Sequence, residues 1–306
     1  MRSGEFYSKG KFLLSGEYFV LYGAKALAVP LKFGQRMLVH EISPPGILEW
    51  ETYVLDKIWF TARLRLKDMT ILDSSDQKTA FFIRDLLKEG GKLQPELGLT
   101  SQGFSIRNNI NFDIRWGLGS SSSLVSNLAY WLDVDPYALY RSSFQGSGYD
   151  VFCARASQPI IYQLKDKHHE IHEVYFKPAF ADHLFFIYLG RKQDSQESVR
   201  KFMAQPFKDD QIILKVSNLT DALVNADDFE DFLSVMRLHE ETISAAIGLP
   251  VVKQETFPDF NGEIKSLGAW GGDFVMAVTE MNQEEVRKYF AGKGMTVIFT
   301  WDEIIY

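Results

Sequence analysis

Residues 116–132 read WGLGSSSSLVSNLAYWL: two glycines and four consecutive serines placed directly before an apolar run. Leu124, Leu128, Trp131 and Leu132 recur at i, i+4, i+7 and i+8, which is one face of an amphipathic helix. Upstream, Phe104, Ile106, Ile110, Phe112 and Ile114 alternate in part, as strand residues do. The stretch reads as strand, glycine-serine turn, helix. Such a turn aims the unpaired N–H groups of the first helical turn at whatever lies over them, and an anion is the natural guest.

The surrounding composition narrows the partner. The chain has 306 residues, 46% of them hydrophobic, enough to fill the cores of one large or two ordinary domains. A net charge of −7 argues against nucleic acid, whose backbone demands a basic surface, and no apolar run is long enough for a membrane span. One cysteine, Cys153, rules out an internal disulfide and suits a reducing compartment. Lys9, Lys11 and Ala24-Lys25-Ala26 imitate a secretion signal. Glu17 interrupts the apolar part, however, and hydrophobic sequence continues into LAVPL, so the expectation is a cytoplasmic protein.

Along the chain, KFLLSGEYFVLYGAKALAVPL reads as two strands joined around Tyr22-Gly23-Ala24, and MLVHEI and IWFTARLRL read as further strands. KTAFFIRDLLKEG reads as a helix with Phe81, Phe82, Leu86 and Leu87 on its apolar face, ended by Gly90 and Gly91. Asp135 and Pro136 mark another helix start. The second half mixes buried strands (HLFFIYLG, GDFVMAVT, TVIFTW) with clustered helices, which predicts α+β architecture with a boundary in 176–182. HHEIH lacks the spacing of a zinc helix and reads as a solvated strand.

Three glycine-rich turns stand out: Gly117 to Ser123, Gly146 to Asp150, and Gly268 to Asp273. They match no Walker loop, because five residues separate Gly4 from Gly10-Lys11 and Phe12 follows; G-x-G-x-x-G opens no helix and G-x-S-x-G is absent. In order, GKFLLSGEYFVLYG, GLGSSSS, GSGYD and GAWGGDF resemble the motifs of the GHMP kinases over most of the chain. That resemblance implies a two-domain fold, residues 1–178 similar to ribosomal protein S5 domain 2 and residues 179–306 ferredoxin-like. It also implies an ATP- and Mg²⁺-dependent kinase, monomeric or homodimeric, with a small-molecule acceptor and no nucleic-acid or membrane partner.

Carried over by position, Gly117, Leu118, Gly119, Ser120, Ser121 and Ser122 become the ATP phosphate loop, with Ser121 as the magnesium ligand. Asp150 becomes the base and Lys11 its cationic partner, while Glu17, Tyr18, Ser147, Gly148, Gly268 and Ala269 face the substrate. Arg191, Lys192 and Ser195 are further candidates for the acceptor. The early G-E-Y and late G-G-D favour an acceptor such as mevalonate 5-phosphate or mevalonate. A sugar or amino-alcohol such as homoserine, and a non-catalytic nucleotide-binding role, stay open. Three positions depart from the pattern: Asp113 replaces a proline, Trp270 replaces a glycine, and Leu139 stands where a second metal carboxylate is expected.

Overall fold

The computed structural model describes residues 3–165, 168–191, 195–204 and 209–306. They form an α+β fold with two β-sheets, grouped into two compact units whose segments interleave. The first unit takes residues up to Gly10, Phe33–Ile114 and Leu118–Arg155; the second takes Lys11–Lys32, Arg115–Gly117 and Ala156–Tyr306. The sequence reading instead expects one cut between residues 178 and 179.

Two long strands contribute to both units, β1 (Gly4–Leu13) and β2 (Ala26–Ile42). The first unit adds β3 (Ile47–Val54), β4 (Lys57–Arg65), β5 (Thr70–Ser74), α1 (Gln77–Leu93), β6 (Gly103–Ile110), α2 (Ser120–Leu132), α3 (Pro136–Arg141) and α4 (Tyr149–Cys153). Its sheet runs β5-β4-β3-β6-β2, with β3 and β6 parallel and the other pairs antiparallel. Alternation sets which face is buried: Phe60, Ala62 and Leu64 of β4 and Phe104 and Ile106 of β6 enter one core with Leu124, Leu128, Trp131 and Leu132 of α2. Trp131 meets Phe104 edge-on at 5.3 Å. Asp135 caps α3 by accepting from the Ala138 N–H, with Pro136 at the first helical position, as its sequence predicts.

The second unit contains β7 (Ile160–Lys165), β8 (His168–Glu173), β9 (Leu184–Tyr188), α5 (Ser195–Met203), α6 (Asp210–Val224), α7 (Phe229–Ile247), α8 (Val252–Thr256), β10 (Glu263–Leu267), β11 (Phe274–Val278), α9 (Gln283–Gly292), β12 (Ile298–Thr300) and α10 (Trp301–Ile304). Four of these strands form an antiparallel sheet in the order β10-β11-β9-β12. Ala26–Ala28 of β2 pair with β7, which pairs with β8. Among the described residues no helix is long and apolar enough to cross a membrane.

Two expected elements differ. Residues 15–24 are not strand: a tight turn at Tyr18 leads into a 3₁₀ turn over Phe19–Tyr22. Helix α1 does not stop at Gly90-Gly91 but runs to Leu93, and its buried face is Ala80, Ile83, Leu86, Leu87 and Gly90, while Phe81 is exposed. Gly90 is a contact residue: a Cβ there would collide with Leu132 Cδ1 of α2. Gly90→Val should therefore overpack this contact and destabilise the protein by about 1–3 kcal/mol, read as a lower urea midpoint; an unchanged midpoint would show that the α1–α2 contact is not tight.

Candidate phosphate loop and its supports

Helix α2 begins after two left-handed glycines, Gly117 (φ 67°) and Gly119 (φ 93°), conformations that carry steric cost for any residue with a Cβ. Gly119 occupies the N-cap, where no side chain makes a capping hydrogen bond. The four serines divide the work. Ser122 Oγ donates to Gly119 O at 3.0 Å, and Ser123 Oγ is 3.0 Å from both Ser120 O and Gln35 Oε1. Both residues are buried, whereas Ser120 is half-buried and Ser121 is exposed. The inner serines stitch the first turn, and the outer ones face outward.

Beneath this turn lies a buried polar network that the sequence reading misses. Gln35 of β2 accepts from Ser123 and donates to Asn108 Oδ1 at 3.1 Å, while its backbone carbonyl accepts from Asn127 Nδ2 at 2.9 Å. Asn127 Oδ1 in turn accepts from Ser8 Oγ of β1 at 2.9 Å. Asn108 Nδ2 is the one amide donor of this network without a partner among the described residues. Helix α2 is thus bonded to β1 and β2 at two levels, and buried hydrogen bonds fix rotation and register in a way apolar packing does not. A signal existed: Asn108 breaks the inward series Phe104, Ile106, Ile110.

In the same unit, Gly146, Ser147 and Gly148 lead into α4. A Cβ on Gly148 (φ 82°) would come within 2.6 Å of the Tyr137 ring, and one on Gly146 within 2.5 Å of the Tyr140 hydroxyl. The turn is seated on two tyrosines of α3. Ser147 and Gly148 are buried, and Asp150, in the first turn of α4, is half-buried. Helices α3 and α4 both pack on α2, so the unit assembles the serine turn and Asp150 on one support.

The second unit carries Lys11, Glu17, Tyr18, Gly117, Gly268 and Ala269. Lys11 is half-buried on β1. A Cβ on Gly117 would strike the Asp273 carboxylate, which would have to shift, and φ 67° strains any residue with a side chain there. Glu17, expected to face substrate, is fully buried, and its Oε1 lies 2.6 Å from Lys265 Nζ of β10. Lys265 also reaches Glu240 Oε2 of α7 at 3.4 Å, and Glu240 Oε1 accepts from the Ser266 N–H at 3.0 Å. Burial raises the Glu17 carboxyl, with Lys265 opposing. Lys265 is held above the ordinary lysine range: burial works against its charge, and Glu17 and Glu240 outweigh it.

His239 Nε2 accepts from the Gly16 N–H at 3.2 Å, which puts its proton on Nδ1. Burial and Lys265 hold it neutral well below its usual range, so its 3.6 Å approach to Glu17 is no ion pair. Tyr18 and Trp270 meet: the Trp270 N–H donates to the Tyr18 hydroxyl at 2.9 Å, and the indole N–H donates to Pro250 O at 2.9 Å. Trp270, in place of a glycine, is buried against Phe19, Val216 and Ile243.

Of the remaining candidates, Arg191 is exposed, and Lys192 lies outside the described residues, as does the side chain of Ser195. The histidine-rich strand β8 turns His169 onto the Tyr162 hydroxyl at 2.7 Å, and no group of three His, Cys, Asp or Glu residues suited to a metal occurs among the described residues.

No protein-family model matches the chain, and no curated protein matches it in sequence. Solved structures match it over nearly its whole length. Streptococcus pneumoniae phosphomevalonate kinase in complex with phosphomevalonate and AMPPNP aligns with a TM-score of 0.70 at 18% identity, over 97% of this chain and 99% of that one. Methanococcus jannaschii mevalonate kinase gives 0.66 at 18%, over 97% of each chain. Lactococcus lactis galactokinase complexed with galactose gives 0.67 at 13%, over 98% of this chain and 93% of that one.

The chain has the GHMP-kinase fold. Within that fold the ion cluster has a titration signature. Burial pushes the Glu240 carboxyl up to about 7, with Lys265 opposing. A folded value above the unfolded 4.5 means that this group stabilises the fold below the unfolded value, and that the contribution is lost as pH rises through the folded one. Glu240→Gln, fixed in the neutral form, should gain stability relative to wild type between about pH 5 and about pH 8. Urea midpoints at the two pH values test this; a constant difference would contradict it.

Proposed function

We propose that this protein is an ATP- and Mg²⁺-dependent kinase that phosphorylates a hydroxyl or phosphate of a small metabolite, with mevalonate 5-phosphate or mevalonate as the first candidates. The observation that carries the reading is the serine turn: an uncapped N-terminus on a 13-residue helix, with its inner hydroxyls turned inward, its outer serine exposed, and its register fixed by Gln35. Free N–H groups and the positive helix end favour a triphosphate there. The GHMP-kinase fold and the four motifs in order support the same conclusion.

In this reading Gly117, Leu118, Gly119, Ser120, Ser121 and Ser122 hold the phosphates through backbone N–H groups and hydroxyls. Ser121 suits Mg²⁺, being an exposed hard oxygen donor next to the phosphate position, and Mg²⁺ commonly completes its octahedron with waters and phosphate oxygens. When bound, the ion offsets charge on the β- and γ-phosphates. An acceptor hydroxyl oxygen attacks the γ-phosphorus, the bond to the bridging oxygen breaks, ADP leaves, and Asp150 takes the hydroxyl proton. Lys11 is assigned by its motif to keep that carboxylate ionised and to balance the transferring charge. Gly268 and Ala269 are assigned to the acceptor.

Acceptor chemistry changes what Asp150 contributes. A hydroxyl must lose a proton during attack, so a base is worth ~10²–10⁴-fold. A phosphate monoester, whose second pKa is near 6, is already largely ionised at pH 7 and needs little base help. ATP consumption with mevalonate, mevalonate 5-phosphate, homoserine and hexoses tests the function, and no turnover with any of them, despite ATP binding, would favour a non-catalytic role. On a hydroxyl acceptor Asp150→Asn should lower kcat ~10²–10⁴-fold; on a phosphate acceptor the loss should be far smaller. Lys11→Met should also lower kcat, and the double variant should lose much less than the product of the two. Near-normal kcat for Asp150→Asn on a hydroxyl acceptor would overturn the base assignment.

A further inference from the structure

Tyr18 has φ 59° and ψ −44°, and the Phe19 N–H donates to Glu17 O at 2.6 Å across it. This is the γ-turn with positive φ, a rare and strained conformation for a residue with a Cβ. Such strain persists only where the surroundings over-determine it. Here the turn sends two consecutive side chains to two points on one segment. Glu17 takes Lys265 at 2.6 Å, and the Tyr18 hydroxyl takes the Trp270 N–H at 2.9 Å. The Tyr18 ring packs on Phe202 at 4.9 Å between centroids.

The segment so gripped, 265–270, opens the glycine turn 268–272. Gly268 (φ 70°) and Gly271 (φ 71°) have no heavy atom within 4 Å of where a Cβ would lie, so their faces are open. Gly272 is closed, since a Cβ there would strike Ala269 O. Trp270 between them points inward to Pro250 and the helical core. The turn has an open face and an anchored back.

We infer that Tyr18 is a positioning residue for the 268–272 turn and not a substrate contact: its hydroxyl, aimed by the γ-turn, holds the Trp270 backbone so that Gly268 and Ala269 present a fixed surface to the phosphoryl acceptor. Trp270, in place of a glycine, is the counter-anchor that keeps the turn from collapsing toward its ligand. The acceptor part of this inference rests on the kinase reading above.

Tyr18→Phe removes one hydroxyl and keeps the ring on Phe202. Hydrogen exchange of the Trp270 amide should quicken by about three- to tenfold, the factor for one hydrogen bond. KM for the acceptor should rise by a similar factor, with kcat and the KM for ATP little changed. Unchanged exchange would overturn the inference. So would faster exchange with an unchanged acceptor KM, because the bond would then be structural only. If wild type turns over no acceptor, the kinase reading fails by itself, and exchange alone decides: quicker exchange in Tyr18→Phe supports the clamp, unchanged exchange overturns it.

Discussion

The hydrogen bond from Ser123 to Gln35 is the contact on which the serine turn at the start of α2 depends. A glycine-rich turn has no stiffness of its own, since each left-handed glycine that permits the conformation also permits others. Stiffness comes from below. Gln35 joins the first turn of α2 to Asn108 of β6, and through its backbone carbonyl to Asn127, which reaches Ser8 of β1. A helix end that must meet a charged ligand with its N–H groups gains from such support, because its geometry is set before the ligand arrives.

The second unit solves a like problem with charge. Lys265, Glu17 and Glu240 are buried together, and burying three ionisable groups costs more than packing apolar ones, a cost that their pairing offsets only in part. What the arrangement supplies is location. Glu240 grips both the Lys265 ammonium and the Ser266 N–H, so helix α7 holds strand β10 where it enters the glycine turn. The turn that carries Glu17 and Tyr18 is tied to helix α6: Ser15 and Thr220 share a hydrogen bond, Thr220 donates to Lys25 O, and Lys25 reaches Asp221 at 2.6 Å.

What was legible in the sequence follows periodicity. Helix α2 and its glycine-serine entry, the Asp135–Pro136 start and the buried strand β9 all announce themselves in apolar spacing and capping residues. Strand β10 did not, because Glu263 and Lys265 make a fully buried strand look polar; the pairing of Glu263 with Arg237 and Lys253, and of Lys265 with Glu17 and Glu240, makes that burial tolerable. His239 and Glu240 hide in the same way, on the stripe Phe232, Met236, Ile243 of α7, where apolar residues are expected. Glu17 and Tyr18 were read as substrate contacts from their motif, and the γ-turn that sends one inward and the other to Trp270 depends on partners more than 200 positions away.

Calorimetric titration of ATP with Mg²⁺ into wild type and Gly119→Val tests most directly the proposed triphosphate cradle at the α2 N-terminus. Gly119 sits at φ 93°, where a β-branched residue cannot follow without moving the turn. Wild type should bind, and the variant, shown to be folded by its circular dichroism, should lose most of its affinity. Equal affinity in the two proteins, or no binding by wild type, would contradict the cradle.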